Sequence, residues 1–180
     1  TSLSLHLRSN QGPALRYPGL EEAVVTRGPI TLASCRAAVL ALRRGKSMIH
    51  DPADPNHRSA GSFFLNPILP QAQADTVQEL AYRKRLLPRE ARIPSFPAQP
   101  GYRKIPAAWL IEQSGFSRGQ RHGPVGLSSR HTLALVHHGG GRTEDLIAFA
   151  MKIRTGVEDQ FGVRLEAEPV MLGFTTPPLG

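Results

Sequence analysis

The run Ser59-Ala60-Gly61-Ser62-Phe63-Phe64-Leu65-Asn66-Pro67 sets a small hydroxyl between a glycine and two phenylalanines and closes on Asn-Pro. Glycine ahead of the serine lets the backbone come close to a ligand with no Cβ in the way. The two aromatic rings can anchor the segment in a core, and Pro67 stops a regular ladder. The product is a serine hydroxyl held firmly at the lip of a cavity. Chemistry on a small molecule needs such a group, although a buried turn whose hydroxyl bonds its own backbone has the same composition.

Other chemistry-bearing residues are scattered. The seven histidines have no metal-ligand company. His137 and His138 are adjacent on an expected strand end, so they point to opposite faces, and no cysteine or paired carboxylate stands near them. No metal is expected. Gly139-Gly140-Gly141 precedes a helix and could cradle a phosphate, but it lacks the lysine and spacing of a phosphate loop and reads better as a flexible turn. The single cysteine, Cys35, excludes an internal disulfide and fits a small buried hydrophobe in a helix of a cytosolic protein.

Five blocks in order carry a resemblance. They are Leu15-Arg16-Tyr17-Pro18-Gly19-Leu20; Ala38-Val39-Leu40-Ala41-Leu42-Arg43-Arg44-Gly45-Lys46 followed by Asp51-Pro52; the Gly61-Ser62-Phe63-Phe64 run; Ile105-Pro106-Ala107-Ala108-Trp109-Leu110-Ile111-Glu112-Gln113-Ser114-Gly115-Phe116; and Phe161-Gly162-Val163-Arg164-Leu165-Glu166-Ala167-Glu168. Together they resemble the substrate-binding part of the UDP-N-acetylenolpyruvoylglucosamine reductases, flavoenzymes of peptidoglycan synthesis, and they span nearly all 180 residues. The first block is similar to the family's strand-turn entry into that domain. The resemblance implies FAD and NADPH as cofactors and a nucleotide-sugar as substrate, with the flavin-binding half upstream of residue 1. The chain opens without methionine, so residue 1 is not expected to be a natural start.

The resemblance also assigns roles. Ser62 would be the general acid that protonates a substrate carbon after hydride arrives. Serine is a weak acid and serves only against a strongly basic partner at short range. Glu168 falls where the family carries a strand glutamate beside the substrate carboxylate, and it helps a developing enol only when protonated or hydrogen-bonded. Pro169 follows it directly, and Val170 and Met171 stand where the family often shows a charged residue and an aromatic. The proline removes a ladder donor, so Glu166, two residues earlier on the same strand face, is the fallback. Lys46, Asn66 and His131 match family positions that contact substrate. Asn66 offers a donor and an acceptor, and Lys46 a point charge.

The elements that must position these groups follow from periodicity. Residues 2–8 alternate strictly and predict a strand, the last of the preceding flavin-side domain, with residues 1–14 as that strand and its connector and 15–180 as the substrate-binding domain. Helices are expected over 31–44, 71–86 and 106–114. A further helix starts at 143, N-capped by Thr143, with Leu146, Phe149, Ala150, Ile153, Val157 and Phe161 on one face and Gly162 as the stop. Strands are expected at 132–137 and 163–172. Repeated prolines make 46–70 and 88–104 loops. The fold class is α+β, a small, mostly antiparallel sheet packed against helices.

The formal charge of +8 favours an anionic partner. No basic strand is studded with aromatics and there is no zinc-finger spacing, so nucleic acid is the weaker reading and a phosphorylated small molecule the stronger. No apolar run approaches the roughly 18 residues of a membrane helix, no secretory signal is visible, and a cytoplasmic location is expected. The alternative function is a stand-alone, non-catalytic module for an anionic partner. Steep loss of affinity with salt would mark a nucleic-acid binder, whereas a shaped nucleotide-sugar site would lose little.

Overall fold

The computed structural model describes residues 2–6, 11–17 and 19–179, which form two compact units, Thr1–Ile49 and His50–Gly180. In the first unit, residues 2–6 are exposed and carry no strand, and the rest of the expected strand, residues 7 and 8, lies outside the described residues. Alternation alone does not make a strand: an unpaired segment has no ladder to hold it. The expected strand-turn at 15–20 is also corrected. Gly19 adopts φ 75 and opens a six-residue helix, α1 (Leu20–Val25).

Thr31 caps the second helix, α2 (Leu32–Gly45). Its hydroxyl accepts from the Ser34 N–H at 3.0 Å, while Ser34 Oγ accepts from the Thr31 N–H at 2.9 Å. Leu20, Val24 and Ala38 form the small core between α1 and α2, with Cys35 and Leu42 packed against it. Val39 is exposed.

The end of α2 holds a strained residue. Ser47 N–H donates to the Arg44 carbonyl and Met48 N–H to the Arg43 carbonyl, a Schellman closure whose left-handed position is Ser47, at φ 56. The Ser47 hydroxyl is buried with no hydrogen-bond partner among the described residues. Both features cost stability. Ser47→Gly is therefore expected to stabilise the chain by about 1 kcal/mol, read as a higher denaturant midpoint at unchanged slope. An unchanged or lower midpoint would contradict this account of the turn.

The second unit holds the sheet. Its strands are β1 (Ser59–Ser62), β4 (Arg121–His122), β5 (Val125–Leu127) and β6 (Ala134–His137), in the order β1-β6-β5-β4, with every pairing antiparallel. A separate two-stranded ribbon pairs β2 (Ile68–Pro70) with β3 (Tyr102–Lys104). Strands β1, β2 and β3 lie inside the stretches expected to be loops. Pro70 is tolerated because it ends a short edge strand and leads straight into α3 (Gln71–Arg83).

Helix α5 (Thr143–Phe161) packs on β5 and β6, α4 (Ala107–Gln113) packs on α5, and α3 packs on α5 and the β2–β3 ribbon; Phe64, Leu110, Ile111, Phe149, Ile153 and Phe161 are among the fully buried side chains of the shared core. The α+β class is as expected from the sequence. Two boundaries differ. Thr143 is the first helical residue of α5 and not its cap: Arg142 holds that position, its N–H donating to Asp145 Oδ2 at 2.7 Å. Residues 163–172 make no regular strand. They contribute a single bridge, Phe64 to Ala167, because Pro169 cannot extend the ladder.

Between β6 and α5, His137 bonds the triple-glycine turn at both ring nitrogens, to the Gly139 N–H and the Gly141 carbonyl. Beside it, His138 Nε2 is buried without a partner among the described residues. Burial, then the nearby charges of Arg121 and His137, hold the His138 ring below its ordinary value of 6.5. An unfolded chain takes up this proton near 6.5 while the folded one resists it. Stability therefore falls as pH drops below 6.5 toward the folded value. His138→Gln should remove that part of the slope in denaturant midpoints collected from pH 7 to 5; a slope matching the parent chain would contradict the assignment.

Candidate functional site

Local conformation at Ser62 starts with Gly61. The β1–β6 register pairs Ser59 with Val136 and Ser62 with Ala134, so β1 carries one extra residue at a bulge. Gly61 occupies it at φ 84 with open space around it, so backbone conformation and not crowding selects glycine there. The bulge lets both Phe63 and Phe64 be buried in succession, their rings 5.1 Å apart edge to face. Ser62 is left half-buried, and its hydroxyl makes no hydrogen bond within the described residues.

A row of backbone hydrogen bonds then crosses the sheet. The Leu133 N–H donates to His131 Nδ1 at 3.1 Å, the Phe63 N–H to the Leu133 carbonyl at 2.7 Å, and the Glu168 N–H to the Phe63 carbonyl at 2.9 Å. Leu65 N–H continues the pairing to the Glu166 carbonyl at 3.0 Å. Ser62 thus sits between β6 and the C-terminal segment, one residue from the point where Glu168 crosses. Along that segment Val163 and Leu165 are buried while Arg164, Glu166 and Glu168 are exposed. Glu166 and Glu168 therefore share the outward side, as the alternation predicts.

Asn66 has a positioning job of its own. Its Oδ1 accepts the Ala107 N–H at 2.8 Å, capping α4 where Pro106 offers no side chain to do so. Its Nδ2 makes no bond within the described residues. His131 lines a cleft of about 190 Å³ with Ala108, Glu112, Arg118, Arg130 and Thr132. The structure brings Ser62, Asn66, His131 and Glu168 into the second unit along one run of strand contacts.

Lys46 belongs to the first unit, just past the end of α2. Its ammonium donates to the Tyr17 hydroxyl at 3.4 Å and stands 5.7 Å from the ring centroid, at the edge of an apolar cavity of about 420 Å³. A cation there also suits the helix C-terminus. Sequence reasoning missed Asn56, buried at 5%, whose side chain bonds both the Ser129 N–H and the Ser129 hydroxyl. An asparagine directly after Pro55 carries no sequence signal of such a distant partner. Among the described residues, no group of three or more His, Cys, Asp or Glu could hold a metal ion, and no helix is long and apolar enough to cross a membrane.

In this α+β domain a bulged strand presents a half-buried serine, without a partner among the described residues, one residue from the strand crossing that carries the exposed Glu166 and Glu168. The sequence profile of the UDP-N-acetylenolpyruvoylglucosamine reductase C-terminal domain matches residues 52–172. A UDP-N-acetylenolpyruvoylglucosamine reductase from Thermobifida fusca is 47% identical over 171 residues, covering 93% of this chain and 47% of that protein. Reductases of the same name from Corynebacterium diphtheriae and Salinispora arenicola are 42% and 44% identical, covering 97% and 94% of this chain. The chain belongs to the UDP-N-acetylenolpyruvoylglucosamine reductase family. It spans about half the length of the curated relatives it matches.

Proposed function

We propose that the chain is the substrate-binding part of an NADPH- and FAD-dependent oxidoreductase, a UDP-N-acetylmuramate dehydrogenase. The reaction reduces UDP-N-acetylglucosamine enolpyruvate to UDP-N-acetylmuramate in the cytoplasm. Residues 15–180 would serve as the substrate-binding domain, with 1–14 leading in from the flavin side. The observation that carries this reading is the half-buried Ser62 hydroxyl, without an internal partner, one residue from the crossing of Glu168. These residues fit the substrate side of such a site, and the flavin's own binding residues are assigned to the half of the family's enzymes that this chain does not cover.

The half of the family's enzymes that this chain does not cover would hold FAD, which, reduced by NADPH, would supply hydride chemistry to the enolpyruvyl group. Ser62 Oγ gives its proton to the neighbouring carbon, a transfer that a serine makes only to a strongly basic carbon at hydrogen-bond range. Glu168, with Glu166 on the same side, steadies the developing enol at the substrate carboxylate. Within the second unit, the Nδ2 of Asn66 and His131 would contact polar parts of the nucleotide-sugar; Lys46, in the first unit, keeps the substrate contact that the family resemblance implies. Preorganised donors of this kind cost no rearrangement during the reaction.

The test is NADPH oxidation driven by the enolpyruvyl substrate. The full-length reductase carrying this chain should show it, and the 180 residues alone should show neither turnover nor a flavin absorption spectrum. Turnover by the isolated chain would overturn the division of labour. A full-length protein that binds the substrate without reducing it would overturn the enzymatic reading.

A further inference from the structure

We propose that Asn56 is a positioning residue. It ties the β5–β6 loop, residues 128–133, to the chain that leads into Ser62, and so sets substrate affinity and not the proton transfer. Asn56 is buried at 5% exposure, and its amide is oriented by its own turn. Asp54 Oδ1 accepts the Asn56 N–H at 2.8 Å and Asn56 Nδ2 at 3.0 Å. That places the amino group on the Asp54 side and leaves Oδ1 to face a donor. The donor is the Ser129 N–H at 2.9 Å, and Nδ2 spends its second hydrogen on Ser129 Oγ at 3.1 Å. The task needs a donor and an acceptor on one short side chain, and asparagine carries both.

The tether closes a circuit through the candidate site. From Asn56 the chain passes Arg58, whose carbonyl accepts the His137 N–H at 3.0 Å at the far end of β6. It returns along β1 until Ser62 stands opposite Ala134 at the near end. The Ala134 carbonyl accepts the Ser128 N–H at 2.9 Å and shuts the loop. On the loop's other arm Thr132, 1% exposed, donates its hydroxyl to Glu112 Oε1 of α4 at 3.2 Å. Arg130 and His131 thus lie between two anchored points, Ser129 and Thr132. His131 is the loop residue that the family resemblance sets beside substrate. With Ser129 released, a ligand would have to order that arm itself, which costs affinity. Ser62 is held separately, by its pairing with Ala134 and by the Phe63 N–H on the Leu133 carbonyl at 2.7 Å, so the chemical step does not depend on the tether. That the loop meets a nucleotide-sugar rests on the proposed function.

The experiment measures NADPH oxidation driven by the enolpyruvyl substrate in a full-length enzyme containing this chain, with amide hydrogen exchange followed on the same variants. Asn56→Ala should raise KM for that substrate about five- to tenfold, the weight of one or two hydrogen bonds, and leave kcat within about threefold. Reduction of bound flavin by NADPH should be unchanged. The Ser129 amide should exchange roughly tenfold faster or more, while the Phe63 amide keeps its protection. Ser129→Ala removes the hydroxyl contact and keeps the Ser129 N–H bond, so KM should rise only about two- to threefold at an unchanged denaturant midpoint. This milder variant carries the test if Asn56→Ala does not fold, and a KM matching the parent would then overturn the proposal. A folded Asn56→Ala enzyme with lowered stability and an unmoved KM would show a merely structural residue. A fall in kcat at unchanged KM would equally contradict the assignment. An active parent enzyme whose KM ignores Asn56 sinks this proposal alone, whereas a parent with no substrate-driven oxidation sinks the functional reading and the affinity claim with it.

Discussion

On the proposed function, replacing Ser62 by alanine in a full-length enzyme containing this chain should cut kcat by about 10²- to 10⁴-fold, the usual weight of a positioned general acid. KM should change little. The hydroxyl has no partner among the described residues, so its removal orphans nothing and the denaturant midpoint should stay within about 0.5 kcal/mol of the parent. That pairing of outcomes separates a proton donor from a turn hydroxyl. A turn serine bonded to its own backbone would show the reverse, a loss of stability with turnover preserved. Reduction of bound flavin by NADPH should proceed normally in the variant, because Ser62 is assigned only to the proton. Steady-state rates within threefold of the parent enzyme would remove Ser62 from the mechanism.

Phe64→Ala should be the most damaging single change to the fold near the site. Phe64 is 1% exposed, stacks edge to face on Phe63, and makes the one bridge that ties β1's continuation to Ala167. Emptying such a position costs about 3–5 kcal/mol, a large share of a domain's total of roughly 5–15 kcal/mol, and should lower Tm by roughly 10 °C. Leu65→Ala is the control: its side chain is 43% exposed, so the cost should be no more than about 0.5 kcal/mol. Because Glu168 reaches the Ser62 strand through this same contact, the Phe64 variant should also lose substrate affinity while still folded. A Phe64→Ala melt within about 1 kcal/mol of the parent would show that the C-terminal segment is held by something else.

Long amphipathic helices were legible in the chain and short strands were not. Helix α5 repeats its apolar residues over five turns and ends on Gly162 at φ 65, so periodicity and stop agree. Strands β4 and β5 have two and three residues, too few for any period to register, and only their pairing with β6 makes them strands. The opposite error occurred at residues 2–6, where a clean alternation finds no ladder. Proline-rich stretches hid the β2–β3 ribbon, since two short edge strands tolerate proline at their ends. The alternation at 163–168 was real, with Val163 and Leu165 inward and the two glutamates outward, but Pro169 stops it after one bridge.

The candidate site divides along the same line. The anchoring of Phe63 and Phe64 was readable because two successive phenylalanines imply a core, but the bulged strand β1 that carries Ser62 was not. The bond from Asn66 to α4, the grip of Asn56 on Ser129 and the transverse row from His131 to Glu168 were not readable. Apart from the local His131–Leu133 bond, each joins residues more than 30 positions apart through a backbone group, and no side-chain pattern announces such a partner.

The most direct test of the central claim is to add UDP-N-acetylglucosamine enolpyruvate to the isotope-labelled chain and map the amides that move. The account predicts movement centred on Gly61 to Phe63, His131 and Ala167 to Glu168, saturating with substrate. Saturable movement confined to surfaces away from this row, or none at saturating substrate, would contradict it.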